Sequence, residues 1–478
     1  MKTSRNQAQI FYVHGRKRWI NLNIVIVGAG EVGLSVAKTL STSEEKHNIY
    51  LIDNDKAKEK DAKELDVQFI LGNGARPHVL AQAGVVQDCD IDILIACTNR
   101  DEINMLSCWI ARNAGIKNVI SRARNLEFTD SPDWKNKLGI KSMISPERSI
   151  SREIIGLFEV KGATHAAELL DGRAALYTLK ISDNSPLVNM ALKDVRPKFP
   201  ELMAVFVHVE HEDGVSGVPN GFTVLKANDI CHVVTYKKSA SLLQRLFQPK
   251  DQNAHSLRKL FIVGGGKLGT QIAQGIRKDF GNVNLRIIDK NHDRCLRLSE
   301  EFGEALVIEA DGADKVMLSD EGIENADGYV CATDSDELNL IYCAIAKRMG
   351  VKKTIAIVKR KDYRDMINCM PVDAIVDPNE ALANVILQSV HYPDHTMAFS
   401  MIESINAEML DIEMTENNIL VGKTLMELKL PKGVIVALLG RGHEVFLPTG
   451  ATKILAGDRV ILFALSSLDL SSILPPKK

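Results

Sequence analysis

A glycine-rich turn between an apolar β-forming run and a helical pattern constrains this sequence most, and it occurs twice. The two copies follow Ile24–Val27 and Leu260–Val263, and they comprise Gly28, Ala29, Gly30, Glu31, Val32, Gly33 and Gly264, Gly265, Gly266, Lys267, Leu268, Gly269. In each copy an acid, Asp53 or Asp289, closes the next apolar run, 20 residues after the last glycine. Strand, turn, helix and acid at this spacing, found twice, predict two dinucleotide sites.

The residue types in the first turn match the chemistry of a diphosphate. Gly28 allows a tight turn, Gly30 lets the backbone approach a pyrophosphate, and Gly33 lets the helix pack on the sheet. The helix N-terminus offers free N–H groups to the phosphates. Asp53 can accept hydrogen bonds from ribose hydroxyls and would repel a 2′-phosphate, so we expect NAD(H) or an adenine nucleotide rather than NADP(H). A turn kept only for packing is the alternative, and it applies more readily to the second copy.

The alternation of apolar runs and helical patterns predicts an α/β fold with two Rossmann-like, doubly wound parallel sheets. The main marks recur about 235 residues apart, which indicates a tandem duplication. In this fold the ligand lies at the carboxyl ends of the strands. Further candidate binding residues at those ends are Asn73, Gly74, Thr98, Arg100 and Arg122, and in the second copy Asp311, Gly312 and Thr333.

Each predicted parallel-sheet domain is followed by a shorter, β-rich segment, which predicts a small α+β domain. Residues 239–257 are polar and are predicted to form a linker. The predicted division is a disordered extension (1–22), the first Rossmann-like domain (23–145), the first small domain (146–238), the linker (239–257), the second Rossmann-like domain (258–376) and the second small domain (377–474).

Composition excludes several classes of protein. A net charge of −2 gives no field for nucleic acid. The eight cysteines lack C-x-x-C spacing, which fits reduced thiols in a cytosolic protein.

We predict no catalytic residue and no metal site. Acids such as Asp101 and Asp336 begin helices and complement the helix dipole, and His208 and His211, without a clear third ligand, are expected to be surface residues.

The two glycine turns with their acids, the segment 72–84 and the paired Thr-x-x-Asp-Glu-x-Asn segments at 98–104 and 333–339 resemble the KTN/RCK family of cytosolic regulators of potassium channels and transporters. The resemblance covers residues 23–474, and it departs at Asn73, where the family usually has aspartate. It implies RCK_N and RCK_C domains, the latter with crossover helices, and binding of NAD(H), with ATP or ADP as alternatives. It also implies a homotetramer docked on a membrane-embedded Trk-type potassium channel, at the cytoplasmic face of the inner membrane.

Three functions are weighed: a regulatory nucleotide-binding subunit, an NAD-dependent dehydrogenase, and an interaction module with relict turns. The short β-rich segments favour the regulator, because a dehydrogenase needs a domain that brings an acid or base to the nicotinamide. The two sites are also predicted to be unequal. Arg100 and Arg122 of the first copy correspond to Ser335 and Ile357 of the second, so the first site should hold phosphates more strongly, with Lys267 compensating only in part.

Overall fold

The computed structural model describes residues 12–13, 16–17, 22–42, 47–129, 132–249, 257–303, 305–360, 363, 369–380, 383–384, 386, 396–402, 405–466 and 468. Within the N-terminal extension it describes one short antiparallel pairing, of β1 (Tyr12–Val13) with β2 (Arg16–Lys17). Most of the extension predicted to be disordered lies outside the described residues.

The first parallel sheet has six strands in the order β5-β4-β3-β6-β7-β8, with helices in the connections. Its central strand, β3, is buried along nearly its whole length, as expected for a strand covered on both faces. The elements are β3 (Asn23–Val27), α1 (Glu31–Thr42), β4 (Asn48–Asp53), α2 (Lys58–Ala62), β5 (Gln68–Leu71), α3 (Pro77–Gln82), β6 (Ile93–Ala96), α4 (Asp101–Asn113), β7 (Asn118–Arg122), α5 (Leu126–Thr129), α6 (Pro132–Lys137) and β8 (Ser142–Ile144).

A long helix and a five-stranded antiparallel sheet follow, with the strand order β12-β11-β13-β10-β9. The helix begins at Pro146 because Ser145 caps it by accepting a hydrogen bond from the Arg148 amide. The elements are α7 (Pro146–Glu159), β9 (Ala163–Leu169), β10 (Ala174–Lys180), α8 (Leu192–Lys198), β11 (Ala204–Glu210), β12 (Ser216–Gly217), β13 (Ile230–Tyr236) and α9 (Ala240–Phe247).

The predicted polar linker is wrong for its first part. Residues 240–247 form helix α9, in which Leu243 and Phe247 are fully buried. The physical reason is the apolar spacing: Leu243, Leu246 and Phe247 recur at helical intervals and share one face. Of the two polar residues between them, Arg245 is exposed, whereas Gln244 is buried and its Oε1 accepts the Lys161 amide at 3.3 Å.

The second parallel sheet repeats the topology of the first, in the order β16-β15-β14-β17-β18-β19. Its elements are β14 (Lys259–Val263), α10 (Lys267–Phe280), β15 (Asn284–Asp289), α11 (His292–Phe302), β16 (Leu306–Glu309), α12 (Lys315–Asp320), β17 (Gly328–Cys331), α13 (Asp336–Arg348), β18 (Lys353–Ile357) and β19 (Ala374–Val376).

The second antiparallel sheet has the order β20-β21-β24-β22-β23, which repeats the first small sheet. Its elements are β20 (Thr396–Ile402), β21 (Ala407–Glu413), α14 (Leu425–Leu428), β22 (Val434–Arg441), β23 (Glu444–Phe446) and β24 (Arg459–Leu465). Two parallel sheets, each followed by a small antiparallel sheet, confirm the predicted fold class and its duplication.

The two halves of the chain share their cores. Helix α7, from the first half, packs on α10 of the second half, and Ser151 Oγ donates to the Gln271 carbonyl oxygen at 3.1 Å. The helices meet closely at Gly275, where a Cβ atom would lie 2.6 Å from Ile155 Cδ1. One continuous apolar cluster therefore joins α7 and the first small sheet to the second parallel sheet, and another joins the first parallel sheet to the second small sheet.

Candidate nucleotide-binding sites

The first glycine turn connects β3 to α1 at the edge of the sheet where parallel strands end. Gly28 has a φ of 109°, and a Cβ atom there would lie 3.0 Å from the Thr98 amide nitrogen. A Cβ atom at Gly33 would collide with the Gly28 carbonyl oxygen, whereas one at Gly30 would have no heavy atom of the described residues within 4 Å. Gly28 and Gly33 are thus required by the fold, while Gly30 faces open space that a ligand can fill.

Asp53, at the end of β4, is bonded to the turn itself. Its Oδ2 accepts the Ala29 amide at 2.6 Å and its Oδ1 accepts the Asp55 amide at 2.8 Å. The side chain is half-buried, so the carboxylate retains accepting capacity towards solvent. In dinucleotide-binding sheets, an acid at the end of the second strand hydrogen-bonds the ribose diol, and Asp53 occupies this position.

The ends of β5 and β6 complete the floor of the first site. A Cβ atom at Gly74 would collide with Val27 of β3, and Asn73 Oδ1 accepts the Ala75 amide at 2.9 Å. Thr98 Oγ1 donates to Asn104 Oδ1 at 2.7 Å, and Asn104 Nδ2 donates to the Arg122 carbonyl oxygen at 3.1 Å. The structure therefore brings Asn73, Gly74 and Thr98 to the same sheet edge as the glycine turn. Glu31 and Val32 open α1, and Val32 is buried.

The two arginines of the first site have different surroundings. Arg100 is exposed, and its Nε lies 3.9 Å from Glu102 Oε2. Arg122 is more deeply placed, and its Nε is buried without a hydrogen-bond partner among the described residues. Burial lowers the pKa of Arg122, an effect that the nearby Glu147 carboxylate opposes. A buried, unpartnered guanidinium N–H is well suited to an anionic ligand.

The second glycine turn, between β14 and α10, repeats the backbone of the first. Gly264 has a φ of 98°, and a Cβ atom at Gly269 would collide with the Gly264 carbonyl oxygen. A Cβ atom at Gly266 would meet no atom of the residues that the structure describes within 4 Å. Leu268 and Lys267 lie in the first turn of α10. Thr333 Oγ1 donates to Asn339 Oδ1 at 2.6 Å, as Thr98 does to Asn104.

The acid of the second site is more heavily engaged than Asp53. Asp289 Oδ2 accepts both the Gly265 amide at 2.7 Å and Arg294 Nη1 at 2.8 Å, and its Oδ1 accepts the Asn291 amide. Burial raises the pKa of Asp289, but these three hydrogen bonds outweigh burial and hold the pKa below its ordinary value. Arg294 therefore uses part of the hydrogen-bond accepting capacity that the Asp289 carboxylate would otherwise offer to a ribose.

The end of β16 supplies a second ion pair at this site. Lys290 Nζ lies 2.8 Å from Asp311 Oδ2, and the hydrogen bond from Lys290 lowers the pKa of Asp311 to about 2. A Cβ atom at Gly312 would lie 2.6 Å from Val263 Cγ1, so the backbone here approaches the central strand as it does at Gly74. The corresponding residues of the two copies thus occupy corresponding places.

A cleft of about 570 Å³ opens beside the second glycine turn. Its lining includes Gly265, Gly266 and Lys267 of the turn and Arg294 of α11. The first half of the chain contributes to the same cleft, with residues Arg124, Asn125 and Glu147. Neither Arg124 nor Arg294 is among the site residues that the sequence predicts. Arg294 lies five residues after the acid, which was an available signal, whereas only the packing of the two halves brings Arg124 here.

The acids Asp101 and Asp336 do more than complement a helix dipole. Asp101 is buried, and its carboxylate accepts the amides of Arg124 and Asn125 at 2.8–3.0 Å. Asp336 Oδ2 accepts the amides of Lys359 and Arg360 in the same way. Each acid therefore ties the start of a helix to the loop that follows the neighbouring strand.

The expectation that His208 and His211 are surface residues is wrong. His208 is 3% exposed. The His211 side chain is largely buried, and its Nδ1 lies 2.9 Å from Asp229 Oδ1. The physical reason is that both faces of β11 are covered, since the four consecutive residues 206–209 are all buried, and that His211, just past the end of the strand, packs against the buried Asp229. The other histidine pair with close spacing, at 391 and 395, lies outside the described residues.

Among the described residues, no helix is both long and apolar enough to cross a bilayer. All eight cysteines are free, and six of them are buried.

Comparison with known proteins gives consistent results over most of the chain. A family model described as the TrkA-N domain matches residues 24–146 and 260–378, and one described as the TrkA-C domain matches residues 409–468. The Trk system potassium uptake protein TrkA homolog 1 of Methanosarcina mazei is 34% identical and covers 93% of this chain and 98% of its own. The Trk system potassium uptake protein TrkA of Vibrio alginolyticus is 29% identical, with 95% and 98% covered.

Solved structures share the fold at low sequence identity. The GsuK RCK domain matches with a TM-score of 0.59 at 17% identity, covering 94% of this chain and 93% of that one. The GsuK channel bound to NAD matches with a TM-score of 0.59 at 17% identity, covering 97% and 79%. With two TrkA-N matches, a TrkA-C match and relatives of this name along nearly the whole sequence, the chain belongs to the TrkA family of Trk system potassium uptake proteins.

Proposed function

We propose that this protein is a nucleotide-binding regulatory subunit of a Trk-type potassium uptake system, and that NAD(H), ATP or ADP bound at its glycine turns controls a membrane-embedded potassium channel. The observation that carries the proposal is the pair of glycine turns, each hydrogen-bonded to its own acid, in a chain of the TrkA family. A protein that shares this fold is described as a channel bound to NAD.

The geometry of the first turn supports the choice of ligand. The open face at Gly30 leaves room for a pyrophosphate against the N-terminus of α1, where backbone N–H groups point outward. Asp53 lies beside the place that a ribose diol would occupy, and a 2′-phosphate at that place would face the negative charge of Asp53. NAD(H), ATP and ADP share the diphosphate and the diol that this arrangement requires.

Regulation requires that the nucleotide bind two conformations of the protein with different affinity. The cleft at the second turn includes residues of both halves of the chain, among them Arg124 and Lys267. A nucleotide that contacted both halves would favour one arrangement of the halves over another. This is the property that a gating subunit needs, and it favours regulation over the alternative, an NAD-dependent oxidoreductase.

The proposal includes the place and the assembly of the protein. It would act as a homotetramer at the cytoplasmic face of the inner membrane, bound to the cytoplasmic side of a Trk-type channel. Light scattering on the purified protein tests the tetramer, and co-purification with the channel subunit tests the docking.

The central experiment is potassium uptake in a strain that lacks this protein and any paralogue. Uptake at low external potassium should fall in the deletion strain and return with the wild-type chain. The double variant Asp53→Ala with Asp289→Ala should restore it poorly, while Asp61→Asn, which removes an exposed acid of α2, should restore it fully. Normal uptake in the deletion strain would refute the proposal.

The oxidoreductase alternative has its own readout. Purified protein is incubated with NADH and candidate carbonyl acceptors, and NADH absorbance is followed. Saturable binding without loss of absorbance supports the regulator. Acceptor-dependent turnover that is abolished by Gly30→Ala would establish the enzyme instead.

A further inference from the structure

The first small sheet carries three side chains of metal-binding type close together: His208, Glu210 and His232, here called the histidine cluster. His208 and Glu210 are two residues apart on β11 and therefore face the same side of the sheet. His232 is the cross-strand partner of His208 on β13. One ligand atom from each of the three lies within 4.8 Å of the others, and this is the one such group among the described residues.

Two of the three groups are already oriented. His232 Nε2 lies 2.9 Å from Glu210 Oε1, and His232 Nδ1 lies 3.0 Å from Thr178 Oγ1 on the adjacent strand β10. A hydroxyl partner on one ring nitrogen fixes the imidazole and directs the other nitrogen into the cluster. Metal-binding histidines are generally held by such a second partner.

The third group, His208, is not explained by this hydrogen bonding. It is 3% exposed, and its Nδ1 is buried without a hydrogen-bond partner among the described residues. A buried polar atom left without a partner destabilises the folded state, so its presence needs a reason. Its ring centroid lies 5.6 Å from that of His232.

The duplicated small sheet shows that the fold does not require these residues. In both copies the two central strands pair with a register shift at the same place, between Phe206 and His208 and between Val436 and Leu438. The paired positions after this shift are His208 with His232 in the first copy. In the second copy they are Leu438 with Ile461, both fully buried.

We propose that the histidine cluster is a binding site for a divalent transition metal ion, best matched by Zn²⁺. Two imidazole nitrogens and one carboxylate oxygen are a ligand set that zinc prefers, with a fourth position left for water or another ligand. Tetrahedral zinc places its ligands ~3.3 Å apart, so closing the cluster requires side-chain shifts of roughly 1 Å. The Glu210 side chain is 29% exposed and provides the route from solvent. This replaces the sequence-based expectation of no metal site.

The position of the site suggests what the ion would do. The same face of the first small sheet packs on the second one, and the His208 ring lies 6.5 Å from that of Phe463 on β24. A metal ion would fasten β11 to β13 beside this contact. The site is distinct from both glycine turns, so the inference is independent of the proposed nucleotide regulation.

The test measures zinc on the full-length protein. Metal-free protein is dialysed against Zn²⁺ buffered by a competing chelator, and bound zinc is measured by mass spectrometry. We expect about one ion per chain, at least a 100-fold loss of affinity in His208→Leu and His232→Ile, and a 10–100-fold loss in Thr178→Val. The two apolar changes copy the residues of the second small sheet, and Glu210→Gln, at the partly exposed edge, provides a variant less disruptive to folding.

The matched control is His292→Gln. His292 forms an exposed pair with Glu309, with Nδ1 2.7 Å from Oε2, and no third ligand stands beside this pair in the part of the chain that the structure describes. Zinc content should be unchanged in this variant. Cobalt substitution adds a second readout, since Co²⁺ in a tetrahedral site gives a visible spectrum that should vanish in Glu210→Gln. Wild-type protein that holds no zinc against the chelator, or folded variants that bind as much zinc as the wild type, would overturn the proposal.

Discussion

At the residue scale, two aspartates in equivalent positions have different partners. Asp53 is half-buried and accepts two backbone amides. Asp289 is 7% exposed and additionally accepts Arg294. Because a carboxylate oxygen has limited accepting capacity, Asp53 is the more available of the two to a ribose.

Asp53→Ala should weaken binding of NAD(H) or ADP at the first site by about 1–3 kcal/mol, the scale of hydrogen bonds lost to a charged acceptor. NADP(H) should bind more weakly than NAD(H) to the unmodified protein, because its 2′-phosphate would face the Asp53 charge. Calorimetry measures both effects, with Asp61→Asn as the control variant. Equal or tighter binding of NADP(H) would contradict this assignment of Asp53.

The two sites are predicted to be unequal, and the first should bind ADP and NADH more tightly. One reason is in the sequence, since Arg100 and Arg122 have no arginine counterparts in the second copy. The structure adds a second reason, because Arg294 already donates to the Asp289 carboxylate. Of the two arginines, Arg122 is the stronger candidate, because its Nε is buried without a partner among the described residues. Lys267 and Arg294, which line the cleft at the second turn, are the opposing contribution.

A matched pair of glycine variants tests this order. Within the described part of the chain, a Cβ atom at Gly30 or at Gly266 would have no heavy atom within 4 Å, so alanine should disturb only a bound ligand at either place. Gly30→Ala should remove the tighter of two binding events, and Gly266→Ala the weaker one. Arg100→Ala and Lys267→Ala are expected to follow the same pattern. Loss of the tighter event in Gly266→Ala alone would reverse the order.

At the element scale, what could be predicted depended on whether a local pattern carried the information. The strand–turn–helix–acid units are local, and the alternation of apolar runs was enough to predict both parallel sheets. Helix α9 was missed because its buried leucines are interspersed with polar residues that dominate the composition of the segment. The burial of His208 was missed because the sequence of β11 does not reveal that both faces of this strand are covered.

Lys353 links strand β18 of the second half to helix α7 of the first half. It is 2% exposed on β18, and its Nζ donates to the carbonyl oxygens of Leu157, Lys161 and Ala163 at 2.6–2.8 Å. These carbonyls belong to the last turn of α7 and the residues that follow it. Three acceptors match the three N–H donors of an ammonium group, and a cation favours the negative end of a helix dipole.

Lys353→Met should lower the free energy of unfolding by about 3 kcal/mol, because it leaves buried carbonyl oxygens without a donor. Lys352→Met is the control. Lys352 is the neighbouring residue, and its side chain is 51% exposed. Its ion-pair partner Asp327 is buried but still accepts the amides of Arg258 and Lys259, so the loss of Lys352 should cost less than the loss of Lys353, about 1–2 kcal/mol. Denaturant unfolding measures both variants, and equal effects would show that the Lys353 contacts contribute nothing special.

At the scale of the whole molecule, the two halves are not independent units. Helix α7 and the first small sheet share an apolar core with the second parallel sheet, and Leu170 donates its amide to Asp411 Oδ2 across the two small sheets at 2.7 Å. The sequence indicated a tandem repeat, but it did not indicate that the two halves pack on each other, because contacts between distant segments leave no periodic pattern. The same packing of the two halves places Arg124 beside the second glycine turn.

The last prediction follows from this shared core. If a protease site is inserted between residues 252 and 253 and cleaved, the two fragments should remain associated under native conditions and separate only when the protein unfolds, because separation would expose the apolar surface between them. Gel filtration before and after cleavage measures this. Gly275→Leu should weaken the association, since a side chain there would collide with Ile155 of α7. Gly217→Ala is the control, because a Cβ atom there would meet no heavy atom of the described residues within 4 Å and the backbone does not require a positive φ. Fragments that part under native conditions in the unmodified chain would show that each half holds its own core.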